Sequence, residues 1–321
     1  MPSYVDLNLC GLSYFIMADE DDHHSSENDH RLAQAQLEAI ENEVKSNQPL
    51  TSDHLEIGIL AQQYQYANAA SDDDSEHQQN SGFLRGIEFL CTKYASFRKV
   101  RGDGNCYYRA FLYALCEKLL SNNASVEYYR IRHIVNESLA WVCQFGYEEY
   151  TIVMFHEELV DLFTFIDKSS PSEFDSMQQQ LHIRLNEQNA TSDYCTWFMR
   201  VMTASQMKSN PNRYLPYVMA EDYTDINMFC SREVEPMGKE CGMVQVSALA
   251  ECLGVRVIVE YMDGHMGPKT SSLVHHVFGG EEVDEDVGDN KMIDSARPTI
   301  GEEERTSITL LYRPGHYDIL Y

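Results

Sequence analysis

The hydrophobic period of this chain changes at Gly254. Upstream, apolar residues recur every three or four positions in one stretch after another. Downstream, Arg256–Tyr261 (RVIVEY), Ser307–Tyr312 (SITLLY) and His316–Tyr321 alternate or run apolar as strands do. A helix buries a stripe of period 3.6 and a strand every second residue, so the switch divides the chain into a helical part and a sheet part. The expected class is α+β, with a helical subdomain packed on a small, mostly antiparallel sheet. A length of 321 residues allows two domains or one large one with extensions.

The helical stripes can be placed. Ala33, Leu37, Ile40 and Val44 form one, after residues 1–30, whose Asp, His and Ser content cannot bury enough apolar surface to offset chain entropy. A second helix is expected over His54–Ala67 and a third over Gly82–Phe97, with residues 69–81 as a loop. The strongest pattern follows Cys106, where Tyr108, Phe111, Leu112, Leu115 and Leu119 share one face. Further helices are expected near 125–143, 151–167, 171–188 and 192–208. Val244–Leu253 ends at Gly254, a suitable left-handed cap. Residues 263–305 read mostly as loop. The division expected is an acidic tail at 1–30, a helical extension at 31–81, and a main domain at 82–321 carrying an acidic insertion at 279–305.

The formal net charge is −27. Much of it lies in acidic runs within 19–29, 72–76, 281–289 and 302–304, which contain no Lys or Arg and read as solvated loops. Such a balance argues against nucleic acid and acidic membrane as partners and favours basic ones. No apolar run is long enough for a bilayer. The nine cysteines include no CxxC pair and no zinc spacing. With no basic segment ahead of Leu9–Met17 to suggest a secretory signal, the expected compartment is the reducing cytosol, and the nucleus with it.

Chemistry concentrates at two places. A cysteine is nucleophilic only as thiolate, and its free pKa of about 8.5 is lowered by a helix N-terminus or a neighbouring imidazolium. Cys106 begins a helix directly after Arg101-Gly102-Asp103-Gly104-Asn105. That turn can also leave backbone N–H groups converging as an oxyanion hole needs. This context favours a nucleophile over an inert buried thiol. The base is expected to be a histidine, and His316 follows a Pro-Gly turn at the start of the last strand. Asp318, two residues on, shares its face and can orient the ring. His133, His156 and His182 fall on helices with no orienting acid and read as surface or boundary residues.

Gly102-Asp-Gly-Asn-Cys-Tyr-Tyr-Arg-Ala-Phe111 and Leu310-Leu-Tyr-Arg-Pro-Gly-His-Tyr-Asp-Ile-Leu-Tyr321 together resemble the otubain branch of the ovarian-tumour (OTU) cysteine proteases, which are deubiquitinating enzymes. Tyr94–Lys99, Thr191–Tyr194, Glu233–Met237 and Val259–Asp263 add to the resemblance, which runs from about residue 31 to the end. It implies a papain-like OTU fold, with Cys106 as nucleophile, His316 as general base and acid, and Asp318 orienting His316. It also places Asp103 among the active-site residues. From position alone, Asp103 suits a loop-shaping role and Asp318 the orienting one, and the two assignments stay open here. Tyr107 stands where the family suggests Phe.

The implied reaction is hydrolysis of isopeptide bonds in ubiquitin chains or conjugates through a thioester, with no metal or cofactor. The implied partners are ubiquitin and polyubiquitin, including the linkage that signals degradation, with residues 31–68 helping to bind a second ubiquitin. The alternative is a binding protein that restrains ubiquitin-conjugating enzymes without cleavage. A general papain-like protease is a third reading.

Overall fold

The computed structural model describes residues 48–70, 74–122, 125–167, 173–270, 272–279 and 305–321. The expected tail at 1–30, the first stripe from Ala33, Cys10 and the acidic stretch 280–304 lie outside the described residues.

In chain order the helices are α1 (Ile59–Ala70), α2 (Asp74–Lys93), α3 (Cys106–Ser121), α4 (Val126–Val142), α5 (Glu149–Asp167), α6 (Phe174–Asn186), α7 (Thr191–Ser209), α8 (Pro211–Met219), α9 (Ile226–Phe229, continuing as a π-turn through Val234) and α10 (Met243–Leu253). The strands are β1 (Phe97–Arg98), β2 (Arg256–Tyr261), β3 (Val274–Phe278), β4 (Ser307–Arg313) and β5 (His316–Leu320). They form one sheet in the order β1-β5-β4-β2-β3. Only β2 and β4 pair in parallel; β1–β5, β5–β4 and β2–β3 are antiparallel. The α+β expectation therefore stands, as does the mostly antiparallel sheet.

Two apolar layers clasp this sheet. On one side Tyr107, Phe111 and Leu115 of α3 pack with residues of α4–α7 and α10 against Val257, Val259, Ile308, Leu310, Tyr317 and Ile319. On the other, Ile57, Leu60, Phe83, Ile87 and Leu90 cover Leu311 and Leu320. Fully burying a side chain of this kind contributes roughly 1.5–3 kcal/mol, so both layers hold the sheet firmly. Alternation along β5 follows from the strand period: Tyr317 and Ile319 enter the first layer and Leu320 the second.

Three local expectations are corrected. Residues 69–81 are not a loop throughout, because α2 begins at Asp74. Its first turns are polar and carry no apolar stripe to betray a helix. Phe97 leaves the helix to pair with Leu320 as part of β1. Within 263–305, Val274–Phe278 forms β3, an exposed edge strand whose VHHVF sequence lacks a buried alternation. Strand β2 and helix α10 match their expected bounds to within one residue, and Gly254 caps α10 at φ +61°.

Candidate active site

Helix α3 packs against β5, and this brings the two ends of the long sequence separation together. Arg313 and His316 are cross-strand partners across the Pro314-Gly315 turn, where Gly315 adopts φ +72°. From the first position of β5, His316 Nε2 donates to Asp318 Oδ1 at 2.9 Å. The other ring nitrogen, Nδ1, is buried and meets no partner in hydrogen-bond geometry among the described residues. Cys106 lies close enough to favour the charged form of the same imidazole. Burial disfavours the imidazolium, but Asp318 and then Cys106 outweigh it and push the His316 pKa up to about 9.

Asp318 is fully buried and its anion is well supplied with donors. Val100 N donates to Oδ1 at 3.0 Å, and Arg313 Nη2 donates to Oδ2 at 2.6 Å. Burial by itself would raise its pKa. The charges of His316 and Arg313, with the Val100 amide, instead hold it well below the usual carboxylate range.

Asp103 has other partners. Its carboxylate accepts from Arg101 Nη2 at 2.9 Å, from Arg109 Nη2 at 2.7 Å and from the Asn105 amide at 3.1 Å. Arg109 continues the chain to Asp193 at 2.8 Å, in the Thr191–Tyr194 segment. Burial opposes the Asp103 anion, yet Arg109 and Arg101 keep its pKa below its ordinary value. The structure thus joins His316 with Asp318 and gives Asp103 the turn ahead of Cys106.

That turn is braced from the far side as well. Asn105 precedes α3 without capping it by its side chain. Its Oδ1 instead accepts from Gly238 N at 2.9 Å and from Arg200 at 2.9 Å. Arg200 is fully buried, lies over the Tyr108 ring, and also donates to the Gly104, Val234 and Lys239 carbonyls. Gly104 has φ +73°, and a Cβ there would stand 2.0 Å from the Gly238 carbonyl oxygen, so glycine alone fits. The N–H groups of the first α3 turn are left uncapped by Asn105, at the positive end of the helix dipole.

Four of the other cysteines are held as thiols. Burial pushes the thiols of Cys116, Cys195 and Cys241 well up, and that of Cys230 to about 12. A thiol so disfavoured as thiolate is a poor nucleophile. Tyr107 is completely buried, and its hydroxyl donates to the Val246 carbonyl at 3.3 Å, away from solvent. His156 is not a surface residue: it is buried, with Nε2 2.9 Å from the Val135 carbonyl. His182 is half-buried beside the Tyr113 hydroxyl, 2.7 Å away. Among the described residues, no cluster of three or more His, Cys, Asp or Glu is gathered as for a metal ion.

Arg313 and Arg200 hold the site in ways that the sequence motifs do not assign to them. Each had a signal: Arg313 faces His316 across a two-residue hairpin turn, and Arg200 interrupts the apolar run Trp197-Phe-Met-Arg-Val-Met202 in the middle of α7.

Known proteins share this arrangement of elements and sequence. The human protein "Ubiquitin thioesterase OTUB1" is 32% identical over 287 residues, covering 89% of this chain and 88% of that protein. "OVARIAN TUMOR DOMAIN-containing deubiquitinating enzyme 1" of Arabidopsis thaliana is 30% identical, covering 77% and 76%. Among solved structures, h/ceOTUB1 with ubiquitin aldehyde and UBCH5B~Ub superposes with a TM-score of 0.68 at 25% identity, covering 91% of this chain and 97% of that one. Residues 42–321 match the family described as Peptidase C65 Otubain, and the chain belongs to that family.

Proposed function

We propose that this chain is a deubiquitinase, a cysteine protease that hydrolyses the isopeptide bonds of ubiquitin chains or conjugates through Cys106, His316 and Asp318. The observation that carries the assignment is the buried His316 Nε2–Asp318 Oδ1 bond at 2.9 Å, on an imidazole whose charged form Cys106 also favours. The family's relatives are named ubiquitin thioesterases, which agrees in reaction and substrate.

Asp318 holds the ring so that it can carry a proton, and the imidazolium in turn favours the Cys106 thiolate. The thiolate attacks the carbonyl of ubiquitin's C-terminal glycine. The tetrahedral oxyanion is met by N–H groups of the first α3 turn and the Asp103–Cys106 loop. His316 gives its proton to the departing lysine amine and leaves a thioester. It then takes a proton from water, which attacks the thioester and frees Cys106. Acid–base assistance of this kind contributes about 10²–10⁴-fold. Asp103 serves the reaction indirectly, by fixing the loop through Arg101 and Arg109.

The chain is divided in this reading into an acidic tail at 1–30, a helical arm at 31–81, and a catalytic domain at 82–321 with an acidic insertion at 279–305, and α2 (Asp74–Lys93) runs unbroken from the arm into the domain. The described cysteines are free thiols and no described helix is long and apolar enough to cross a membrane, so we place the enzyme in the cytosol, with the nucleus open to it.

The test is a ubiquitin probe with a C-terminal electrophile. Wild-type chain under reducing conditions should be labelled and Cys106→Ala should not. Absence of wild-type labelling sinks the enzyme reading, and labelling of Cys106→Ala moves the nucleophile elsewhere.

A second activity is favoured by the company the relatives keep, since OTUB1 has been solved with UBCH5B~Ub and with UBC13~Ub. In that reading the arm at 31–81 contacts a charged conjugating enzyme and restrains it. Cys106→Ala protein should then still inhibit conjugation at micromolar concentration; no inhibition removes this role.

A further inference from the structure

Arg313 is nine-tenths buried at the end of β4, and its two terminal nitrogens go in different directions. Nη2 donates to Asp318 Oδ2 at 2.6 Å. Nη1 donates to Gln63 Oε1 at 3.1 Å, on helix α1 and 250 residues away in sequence. The neighbouring α1 residue Tyr64 also acts on the guanidinium by hydrogen bond and by charge. A planar guanidinium offers its donors in a fixed fork, so anchoring one prong sets the direction of the other.

The packing around this fork points the same way. Leu311, the cross-strand partner of Asp318, lies in one apolar cluster with Leu320, with Ile57 just ahead of α1 and with Leu60 in its first turn. Tyr64 packs on that cluster and stacks on Phe83 of α2, ring centroids 4.3 Å apart. Helix α1 therefore rests on the sheet face that carries Asp318, with Arg313 as its polar contact to the carboxylate.

We infer that Arg313 is a positioning residue that ties α1 to Asp318, so that the N-terminal helical arm sets the orientation of the His316 imidazole. The inference rests on the proposed role of the His316–Asp318 pair and extends it. Asp318 Oδ1 is occupied by Val100 N and His316 Nε2, so Oδ2 is the handle by which the carboxylate can be turned. A shift of α1 reaches that handle through Gln63 and Arg313. Whatever binds along α1 would be felt at the imidazole without touching it.

The experiment uses the full chain and a ubiquitin probe bearing a C-terminal electrophile. The probe carries no second ubiquitin, so α1 is not asked to act as a docking surface. Gln63→Leu should slow labelling about threefold and Arg313→Ala about tenfold to a hundredfold, the range expected when a reacting group is slightly misplaced. The double variant should react no slower than Arg313→Ala alone, because both substitutions cut one path. In every case the fraction labelled at completion should stay at the wild-type level, since positioning alters a rate whereas misfolding lowers an endpoint.

A readout independent of ubiquitin is the ring 15N signals of His316, which should move in the same direction in Gln63→Leu and Arg313→Ala. If Arg313→Ala does not fold, Gln63→Leu alone decides, because that side chain is only partly buried and supplies a single acceptor. Wild-type rate and unmoved His316 signals in Gln63→Leu overturn the inference, as do effects that multiply in the double variant. A wild-type chain that never labels would sink the enzyme reading instead, while the His316 signals would still decide the coupling.

Discussion

The carboxylate of Asp103 and the guanidinium of Arg109 meet at 2.7 Å, one turn inside the helix that Cys106 opens. This contact separates two aspartates that one sequence pattern would group together. Asp318 supports the imidazole, whereas Asp103 supports the backbone just ahead of Cys106. Asp103→Ala should therefore act first on stability. It leaves Arg101 and Arg109 without their shared anion, and breaking a buried pair from one side costs about 3–5 kcal/mol. Arg109 keeps Asp193, so the low end of that range is expected. Chemical denaturation of Asp103→Ala and wild type measures the difference. A loss below about 1 kcal/mol, the scale of an exposed pair, would contradict the loop-bracing role.

Asp318→Asn should act on the rate and its pH dependence. The wild-type His316 pKa is raised to about 9, chiefly by the Asp318 charge against the opposing effect of burial. The imidazolium is then kept until pH rises through about 9, where the basic limb of kcat/KM should fall. An amide in place of the carboxylate removes the anion, so the limb should move down towards the ordinary histidine value near 6.5. Turnover of a fluorogenic ubiquitin conjugate at its optimum should drop about 10²–10⁴-fold. Asp103→Asn, by contrast, should leave the limb where it is. A limb that moves in Asp103→Asn and not in Asp318→Asn would reverse the two roles.

The same titrations bear on folding. A histidine whose folded pKa is raised contributes stability that is fully present below its unfolded value, near 6.5, and is lost as pH rises through about 9. An aspartate whose folded pKa is depressed contributes stability present above its unfolded value, near 3.9, and lost as pH falls further. Wild type should thus hold a stability plateau between about pH 4 and 6.5, if only this pair is considered. The stability gap between wild type and Asp318→Asn should narrow from pH 6.5 to pH 9. Urea midpoints across that range provide the check, and a gap that widens would contradict the coupling.

What could be read from the sequence, and what could not, follows from which interactions leave a local trace. Strands β2, β4 and β5 and helix α3 carry their own burial period. The i, i+2 relation of His316 and Asp318 is a strand property visible in six letters. Strand β3 left no trace because its side chains are largely exposed and its pairing to β2 depends on a partner sequence far enough away to hide register. The start of α2 was hidden for a related reason, since Asp74–Ser81 is polar on every face. Arg200 and Arg313 act at long range: one spans from α7 to the Cys106 turn, the other from β4 to α1. A buried arginine in a sequence announces that partners exist without saying where they are.

Gly104 offers a sharp test of the turn itself. At φ +73° a side chain costs roughly 1–2 kcal/mol in backbone energy alone. The added Cβ would also stand 2.0 Å from the Gly238 carbonyl oxygen, a backbone atom that has no rotamer to change. Gly104→Ala must therefore push the 101–105 turn away from the 238–240 segment, loosening the Asn105–Gly238 and Arg200–Gly104 bonds with it. Stability should fall by about 2–4 kcal/mol, the strain plus a share of the buried hydrogen bonds. Labelling by the ubiquitin electrophile should slow at least tenfold, because the N–H groups proposed to meet the oxyanion move with the turn.

Arg200→Met approaches the same turn from α7. The arginine is fully buried and donates to three backbone carbonyls and to Asn105 Oδ1. Methionine fills much of the same volume but leaves those acceptors without their donor, at a cost of about 3–5 kcal/mol, and lysine cannot reproduce the fork from a single ammonium. Both variants should lose stability, and their surviving folded fraction should label more slowly than wild type, because the turn is held from one side only. Asn105→Ala should resemble them in rate with a smaller loss in stability, since it removes one acceptor and leaves Arg200 its three carbonyls. If Arg200→Met folds with wild-type stability and labels at the wild-type rate, the bracing of the Cys106 turn by α7 is not what holds the nucleophile in place.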